Sequence, residues 1–233
     1  CFKNLRDFLC LELWGKTHWF QVALCLRIVT KGNIDVTMQL SIVGCGGMGL
    51  RHLYGYIELR KYSDLFRLAA VCDVHIETAQ HLAAELYAAT GEEPTVYTDF
   101  NEMLERERGL DAIDIVTDTR MHHGFALAAF DAGIHVMTEK PMGLTVRACQ
   151  LMHKKAIAAG RTLSIAENYR RDPMNRLAKA IVDQGVIGIP HFLMKIDVGG
   201  GSALMHDTGW RALKSRAGSI IIEQGVHDAD LML

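Results

Sequence analysis

Near the end of this 233-residue chain a glutamate and a histidine, Glu223 and His227, stand four residues apart. On one helix such a pair shares a face, with Cβ atoms roughly 5–6 Å apart. A carboxylate beside an imidazole raises its basicity and fixes its tautomer. A histidine prepared in this way suits removal of a proton from a carbinol. The plainer reading is an ordinary helical pair worth about a few tenths of a kcal/mol. Asp230, further along the same segment, reads as structural.

A second reactive group is the lysine of Glu139-Lys140-Pro141. The residue before a proline is driven into extended geometry, which aims Lys140 away from the backbone run that precedes it. Its ammonium could donate to a substrate hydroxyl and favour alkoxide character there. A solvated loop lysine is the alternative.

The third feature is a glycine run, Gly44-Cys45-Gly46-Gly47-Met48-Gly49, between an apolar, β-branched stretch and a helical one. In that context Gly44 permits a tight turn, Gly46 lets backbone approach a pyrophosphate, and Gly49 allows close helix–strand packing. Gly47 and Met48 open the helix, whose free N–H groups suit phosphate. Asp73 ends the next apolar run and would accept hydrogen bonds from ribose hydroxyls while repelling a 2′-phosphate. No arginine follows it directly. The expected cofactor is NAD, with NADP disfavoured; a surface turn acid is the bland reading of Asp73.

These groups need a frame, and the chain alternates in a way that provides one. Strand-like runs are predicted at Gln39–Val43, Phe66–Cys72, Val96–Tyr97, Ala112–Val116, Ile134–Thr138 and Thr162–Ala166. Helical runs fall at Met48–Lys61, Ile76–Thr90, Phe100–Arg106, His122–Ala132 and Thr145–Ala159. Short buried strands alternating with helices imply βαβ crossovers and a parallel sheet, an α/β Rossmann-type doubly wound fold. The strand ends then present their loops at one edge, where ligands bind in such sheets. Beyond Asp172 the rhythm changes: Pro173 opens a helix to about Gln184, Phe192–Val198 alternates like a strand, and Gly199–Ser202 reads as a loop. This is the expected beginning of an α+β substrate domain with an open sheet. Residues 1–37 differ in composition, and Met38 stands just before the first strand. They are read as an extension, either an upstream translated stretch or a genuine amphipathic arm. The expected divisions are 1–37, a dinucleotide domain at 38–167, and 168–233 as an incomplete second domain.

Composition narrows the function. Apolar residues make up 49% and charged residues 22%, with a net charge of −2, so a globular chain without a nucleic-acid-binding basic face is expected. The six cysteines show no C-x-x-C spacing, and no metal site is expected. Cys45 and Cys72 read as small buried hydrophobes in a reducing compartment, with the cytoplasm as the default. No run reaches 18 apolar residues, so no membrane span is expected.

Four motifs in order carry a resemblance. Thr117-Asp118-Thr119-Arg120-Met121-His122, Gly133 to Pro141, Glu167-Asn168-Tyr169-Arg170-Arg171 and Glu223 to Asp230 together resemble the Gfo/Idh/MocA oxidoreductases, over Met38 to Leu233. The resemblance implies that Lys140 acts on a substrate hydroxyl and that His227 is the general acid/base. It places Glu139 near the nicotinamide ribose and His122 near the nicotinamide end, with Thr117 and Asn168 along the cofactor. It also implies a cis peptide before Pro141. His122 fits a capping or surface place at a helix start equally well. Asp118 replaces a proline usual in the family, Glu223 an aspartate, and Ala217-Gly218-Ser219 a glycine triplet. Tyr169 and Arg170 after the sixth strand, and Asp207, Trp210 and Arg211 before the last helix, are the substrate-contact candidates. The expected activity is NAD-dependent oxidation of a hydroxyl on a sugar, inositol or related polyol, in a protein that forms homo-oligomers. Two alternatives stand beside it: an NAD-using glycosidase of the same superfamily, and a non-catalytic NAD-binding regulator.

Overall fold

The computed structural model describes residues 37–196, 209–211 and 213–232. Its first unit alternates strands and helices: β1 (Met38–Val43), α1 (Gly47–Arg60), β2 (Phe66–Cys72), α2 (Ile76–Thr90), β3 (Thr95–Tyr97), α3 (Phe100–Arg106), β4 (Ala112–Ile115), α4 (Thr119–Asp131), β5 (His135–Glu139), α5 (Val146–Ala159) and β6 (Leu163–Ala166). All six strands are parallel, in the order β3-β2-β1-β4-β5-β6. The chain winds outward in both directions from β1 and β4, so the crevice where the order reverses lies between their carboxyl ends.

Both faces of the sheet are covered. One core gathers Leu40, Ile42, Leu53, Phe66, Leu68, Leu82 and Leu86 under α1 and α2. The other gathers Ile113, Ile115, Phe130, Val136 and Met152 under α4 and α5. Strands buried on both faces read as continuous apolar runs, which is why Ile113-Asp114-Ile115 is notable: a carboxylate sits in mid-core, 3% exposed.

Local signals explain most element ends. Gly91 and Gly160 adopt left-handed C-cap geometry after α2 and α5. Asp99 and Thr145 cap α3 and α5 through their side chains. The fourth helix starts at Thr119, ahead of the predicted His122, after an extended Asp118 whose side chain makes no capping hydrogen bond.

After β6 come a 3-10 turn (Tyr169–Arg171), α6 (Pro173–Asp183), α7 (Lys214–Ala217), α8 (Ile220–Glu223) and α9 (Gly225–Leu231). Asp172 caps α6 by accepting from the N–H groups of Met174 and Asn175, with Pro173 at the first position. The strand predicted at Phe192–Val198 is not formed over its described part, residues 192–196. A strand is held by its ladder, and among the described residues none runs beside this stretch to pair with it. The predictions for residues 1–36, 197–198, the Gly199–Ser202 loop and Asp207 lie outside the described residues.

Candidate functional site

The glycine run forms the turn between β1 and α1. Gly44 has φ of +97°, and a Cβ there would lie 2.6 Å from the Val116 carbonyl oxygen, so the turn rests on the backbone that leaves β4. At Gly49 a Cβ would come within 2.2 Å of the Gly44 carbonyl oxygen. That closeness brings the first turn of α1 against the strand end. At Gly46 and Gly47, by contrast, a Cβ would meet nothing within 4 Å. The turn is closed beneath and open above. Gly46 caps α1 without a side chain, and the first turn carries no acid, so its N–H groups face that opening with positive potential. Room, amide donors and polarity fit a dinucleotide pyrophosphate.

Asp73 follows β2 beside this turn. One carboxylate oxygen accepts from the Cys45 N–H at 2.8 Å and the other from the His75 N–H at 2.9 Å. It therefore ties the glycine turn to the neighbouring strand end, and each oxygen keeps a lone pair for a ribose hydroxyl. Cys45 and Cys72 are buried free thiols, and burial, then the nearby Asp73 charge, pushes the Cys72 thiol up to about 12. They pack as apolar groups.

On the other side of the switch point, β4 runs into Thr117 and Asp118. Asp118 holds the helix-start geometry, and its carboxylate lies 3.4 Å from Arg216 Nε of α7. His122 is 1% exposed, which excludes the surface reading. Its Nδ1 lies 3.0 Å from the Pro141 carbonyl oxygen and its Nε2 3.1 Å from that of Thr117. Burial holds its pKa below the ordinary histidine value, so the ring is neutral near pH 7 and donates to one of the two carbonyls. It braces the segment after β5 against the turn after β4.

That segment carries Glu139 and Lys140, and the Lys140–Pro141 peptide is cis. Glu139 accepts from the Lys140 N–H at 2.8 Å, and Lys140 Nζ donates to the Glu223 carbonyl oxygen at 3.0 Å. Beneath Glu139 lies a group the sequence reading missed. His52 on α1 bridges Asp114 Oδ2 at 2.7 Å and Glu139 Oε1 at 3.1 Å, and the Tyr56 hydroxyl donates to Asp114 at 2.9 Å. The available signals were a histidine and a tyrosine four apart on the inward face of α1, and an acid inside an apolar strand.

Beside β5, the edge strand β6 pairs Ala166 with Glu139, so Glu167 emerges next to Lys140. Here the structure corrects the expected partner of His227. Glu223 ends α8, and His227 belongs to α9; Gln224 breaks the path between them. They are not successive turns of one helix, and the acid on His227 is Glu167, with Oε1 2.6 Å from Nδ1. Glu223 instead lies 3.9 Å from Lys140 Nζ and 3.3 Å from Arg211 Nε through its carboxylate. The sequence presents Glu167 only as the first residue of its motif, and four-residue spacing drew the pairing to Glu223.

The remaining candidates divide. Tyr169 stacks on the His227 ring, with centroids 4.1 Å apart and planes 15° apart. Arg211 lies over the Trp210 ring at 4.6 Å, which brings both beside Glu223. Arg170 is bound to Asp230 of α9 and so braces that helix, consistent with the structural reading of Asp230. Asn168 supplies the carbonyl that opens the 3-10 turn, accepting from the Arg171 N–H. Two contacts thus tie the late helices to the sheet edge: Lys140 after β5 to Glu223 of α8, and Glu167 after β6 to His227 of α9.

Comparison with known proteins agrees with this architecture. A family model described as an oxidoreductase family with an NAD-binding Rossmann fold matches residues 38–167. Inositol 2-dehydrogenase 2 of Saccharopolyspora erythraea is 30% identical over 197 residues, which cover 84% of this chain and 53% of that protein. Levoglucosan dehydrogenase of Pseudarthrobacter phenanthrenivorans is 28% identical over 151 residues, 65% of this chain and 38% of that protein. The crystal structure of scyllo-inositol dehydrogenase from Lactobacillus casei, with bound cofactor NAD(H) and scyllo-inositol, is similar with a TM-score of 0.58 at 28% identity. That match covers 66% of this chain and 43% of the other. The chain spans about half the length, or less, of these curated relatives. Among the described residues no helix is long and apolar enough to cross a membrane. From its fold and the family match, the chain belongs to the Gfo/Idh/MocA oxidoreductases and carries their NAD-binding Rossmann fold.

Proposed function

We propose that this chain carries the cofactor site and the reacting groups of an NAD-dependent dehydrogenase acting on a CH–OH group of an inositol, sugar or related polyol. Residues 38–167 form the dinucleotide unit in this reading, and residues from 168 onward open the substrate unit. The observation that carries it is the double cross-link at the sheet edge: Lys140 to Glu223, and Glu167 to His227. Two groups of the right chemistry are held where the ends of the adjacent strands β5 and β6 meet α8 and α9.

Gly46, Gly47 and Met48 hold the pyrophosphate through backbone N–H groups, with Gly44 and Gly49 shaping the turn. Asp73 takes the adenosine ribose, and its charge selects NAD over NADP. Thr117, Glu139 and Asn168 line the nicotinamide half, and His122 acts there through Pro141. When bound, NAD supplies the ring that accepts the hydride. The Glu167 carboxylate only accepts, so it keeps the proton on His227 Nδ1 and leaves Nε2 as the basic atom. His227 Nε2 takes the hydroxyl proton, and Glu167 stabilises the imidazolium that forms. Lys140 donates a hydrogen bond to the same oxygen as it becomes alkoxide-like. Tyr169 shields one face of His227, and Trp210 with Arg211 frames the substrate approach.

The test is a fluorescence titration with NADH and NADPH side by side, followed by NAD reduction with a panel of inositols and sugars. Expected are micromolar NADH binding, NADPH at least about tenfold weaker, a difference of roughly 1.4 kcal/mol, and turnover of at least one polyol. Asp73→Asn keeps an oxygen for the Cys45 N–H and narrows the NADH–NADPH gap. Absence of NADH binding by the folded chain overturns the reading.

A further inference from the structure

Three ionisable side chains meet in the core directly beneath the proposed nicotinamide edge. His52 is 5% exposed, Asp114 3% and Glu139 8%, and the 4%-exposed Tyr56 hydroxyl joins them. Both ring nitrogens of His52 face carboxylate oxygens, which can only accept. Two donated hydrogen bonds require both nitrogens to carry protons, so the ring is an imidazolium. The cluster is expensive as mere packing, since apolar side chains of similar volume often stabilise a core as well as a buried ion group does. Its position suggests what it is for. His52 is on the helix whose amino end faces the phosphate opening, and Glu139 is on the strand that leads into Lys140.

We propose that His52, seated on Asp114 and Tyr56, is a positioning residue of the dinucleotide site: its imidazolium holds Glu139 as an oriented carboxylate, and Glu139 in turn fixes the Lys140 main chain. This rests on the reading that Glu139 and Lys140 form the nicotinamide and substrate edge. The chain of contacts is continuous, from Asp114 Oδ2 to His52, from His52 Nε2 to Glu139 Oε1, and from Glu139 Oε2 to the Lys140 N–H. The charged and titratable groups around the pair are Tyr56 on α1, Asp114 on β4, His122 on α4, and Glu139 with Lys140 at the end of β5. Burial works against both charges. For His52 the two carboxylates more than offset it and push the ring up to about 10, and for Glu139 the hydrogen bond and charge of His52 hold the carboxyl below its ordinary value.

The experiment has two parts. Imidazole ¹⁵N NMR of the intact chain reads both His52 ring nitrogens as protonated from pH 6 to 9; a singly protonated ring at pH 8 overturns the proposal. NADH affinity of the chain is then followed over the same pH range with and without His52→Gln. The native chain is expected to be nearly flat. The variant binds about tenfold more weakly and loses further affinity as pH falls, because the buried Glu139 without its cation takes up a proton more readily. A purely structural role weakens binding equally at all pH values, and that result overturns the proposal. If His52→Gln does not fold, Tyr56→Phe removes one donor from Asp114 and keeps the ring. It is expected to leave His52 doubly protonated at pH 8, because Asp114 without its donor holds the imidazolium more firmly, and to weaken NADH about threefold; a singly protonated ring or an unchanged NADH affinity overturns the proposal. Should native chain fail to bind NADH while His52 is doubly protonated, the cofactor reading fails and the ionic cluster itself stands as observed.

Discussion

His227 and Glu167 come from opposite ends of the site, sixty residues apart in the chain, and meet with Nδ1 2.6 Å from Oε1 in a buried contact. The end of β6 delivers the carboxylate and α9 the imidazole, so the pair exists only when the segment after Asp172 is folded back onto the Rossmann sheet. In the proposed reaction, proton transfer therefore depends on tertiary closure and not on a single helix.

If His227 is the base, His227→Ala lowers kcat by about 10² to 10⁴-fold with NADH affinity retained. Glu167→Gln keeps the size and one acceptor but loses the charge that stabilises the imidazolium; part of that loss is expected, appearing in kcat more than in KM. Glu223→Gln is expected to act on Lys140 instead, because its carboxylate faces Lys140 and Arg211. Steady-state kinetics on the three variants check this, and a Glu223→Gln loss that reproduces His227→Ala while Glu167→Gln is silent refutes the assignment.

Lys140→Met keeps the length of the side chain and removes its charge. Turnover is expected to fall about 10² to 10³-fold, as for loss of one preorganised donor to a developing oxyanion. Glu139 keeps its main-chain partner, so NADH titration stays near the native value. Lys140→Arg is not expected to rescue, because the planar guanidinium cannot replace a compact ammonium on Glu223.

The His52 cluster makes a sign-definite prediction about pH. The ring moves from an ordinary 6.5 to about 10 on folding. A group raised by folding contributes stability that is complete below about 6.5 and is lost as pH rises through about 10. Glu139, held low, has the opposite sign: its contribution is present at neutral pH and lost as pH falls into the acid range. Urea unfolding at pH 7 and pH 10 is expected to show a fall in stability that is much reduced in His52→Leu; an equal fall in both chains sinks the idea.

Gly46 and Gly49 separate binding from stability. Gly49→Ala places a Cβ 2.2 Å from the Gly44 carbonyl oxygen, and backbone must move. A cost of about 1–3 kcal/mol is expected, as for overpacking elsewhere, with a shift of roughly 2–4 °C in Tm for each kcal/mol. Gly46→Ala meets nothing within 4 Å, so the fold should be nearly as stable while NADH binding weakens where backbone must approach the pyrophosphate. Calorimetry and NADH titration together distinguish the two.

Most of the first unit was legible because its signals are local. Apolar runs, glycine stops and side-chain caps put Phe66–Cys72, Ile76–Thr90 and Phe100–Arg106 where the structure has them. Local rules failed where ends depend on neighbours. The fourth helix starts a turn early at Thr119, where Asp118 faces Arg216 of α7 and makes no side-chain cap, and Phe192–Ile196 forms no strand because a strand needs a partner. The same limit produced the Glu223–His227 pairing, since spacing of four implies contact only within an unbroken helix and Gln224 interrupts this one.

The sequence by itself determined the alternation of strand and helix, the glycine turn, the acid after β2 and the types of the reacting groups, because each follows from side-chain chemistry over a few residues. Only the tertiary structure decided which charges pair. It gave His227 to Glu167, Glu223 to Lys140 and Arg211, and His52 to Asp114 and Glu139. Those choices depend on strand order and on how α1, α8 and α9 pack on the sheet edge, and contacts across such distances leave no periodic trace in the chain.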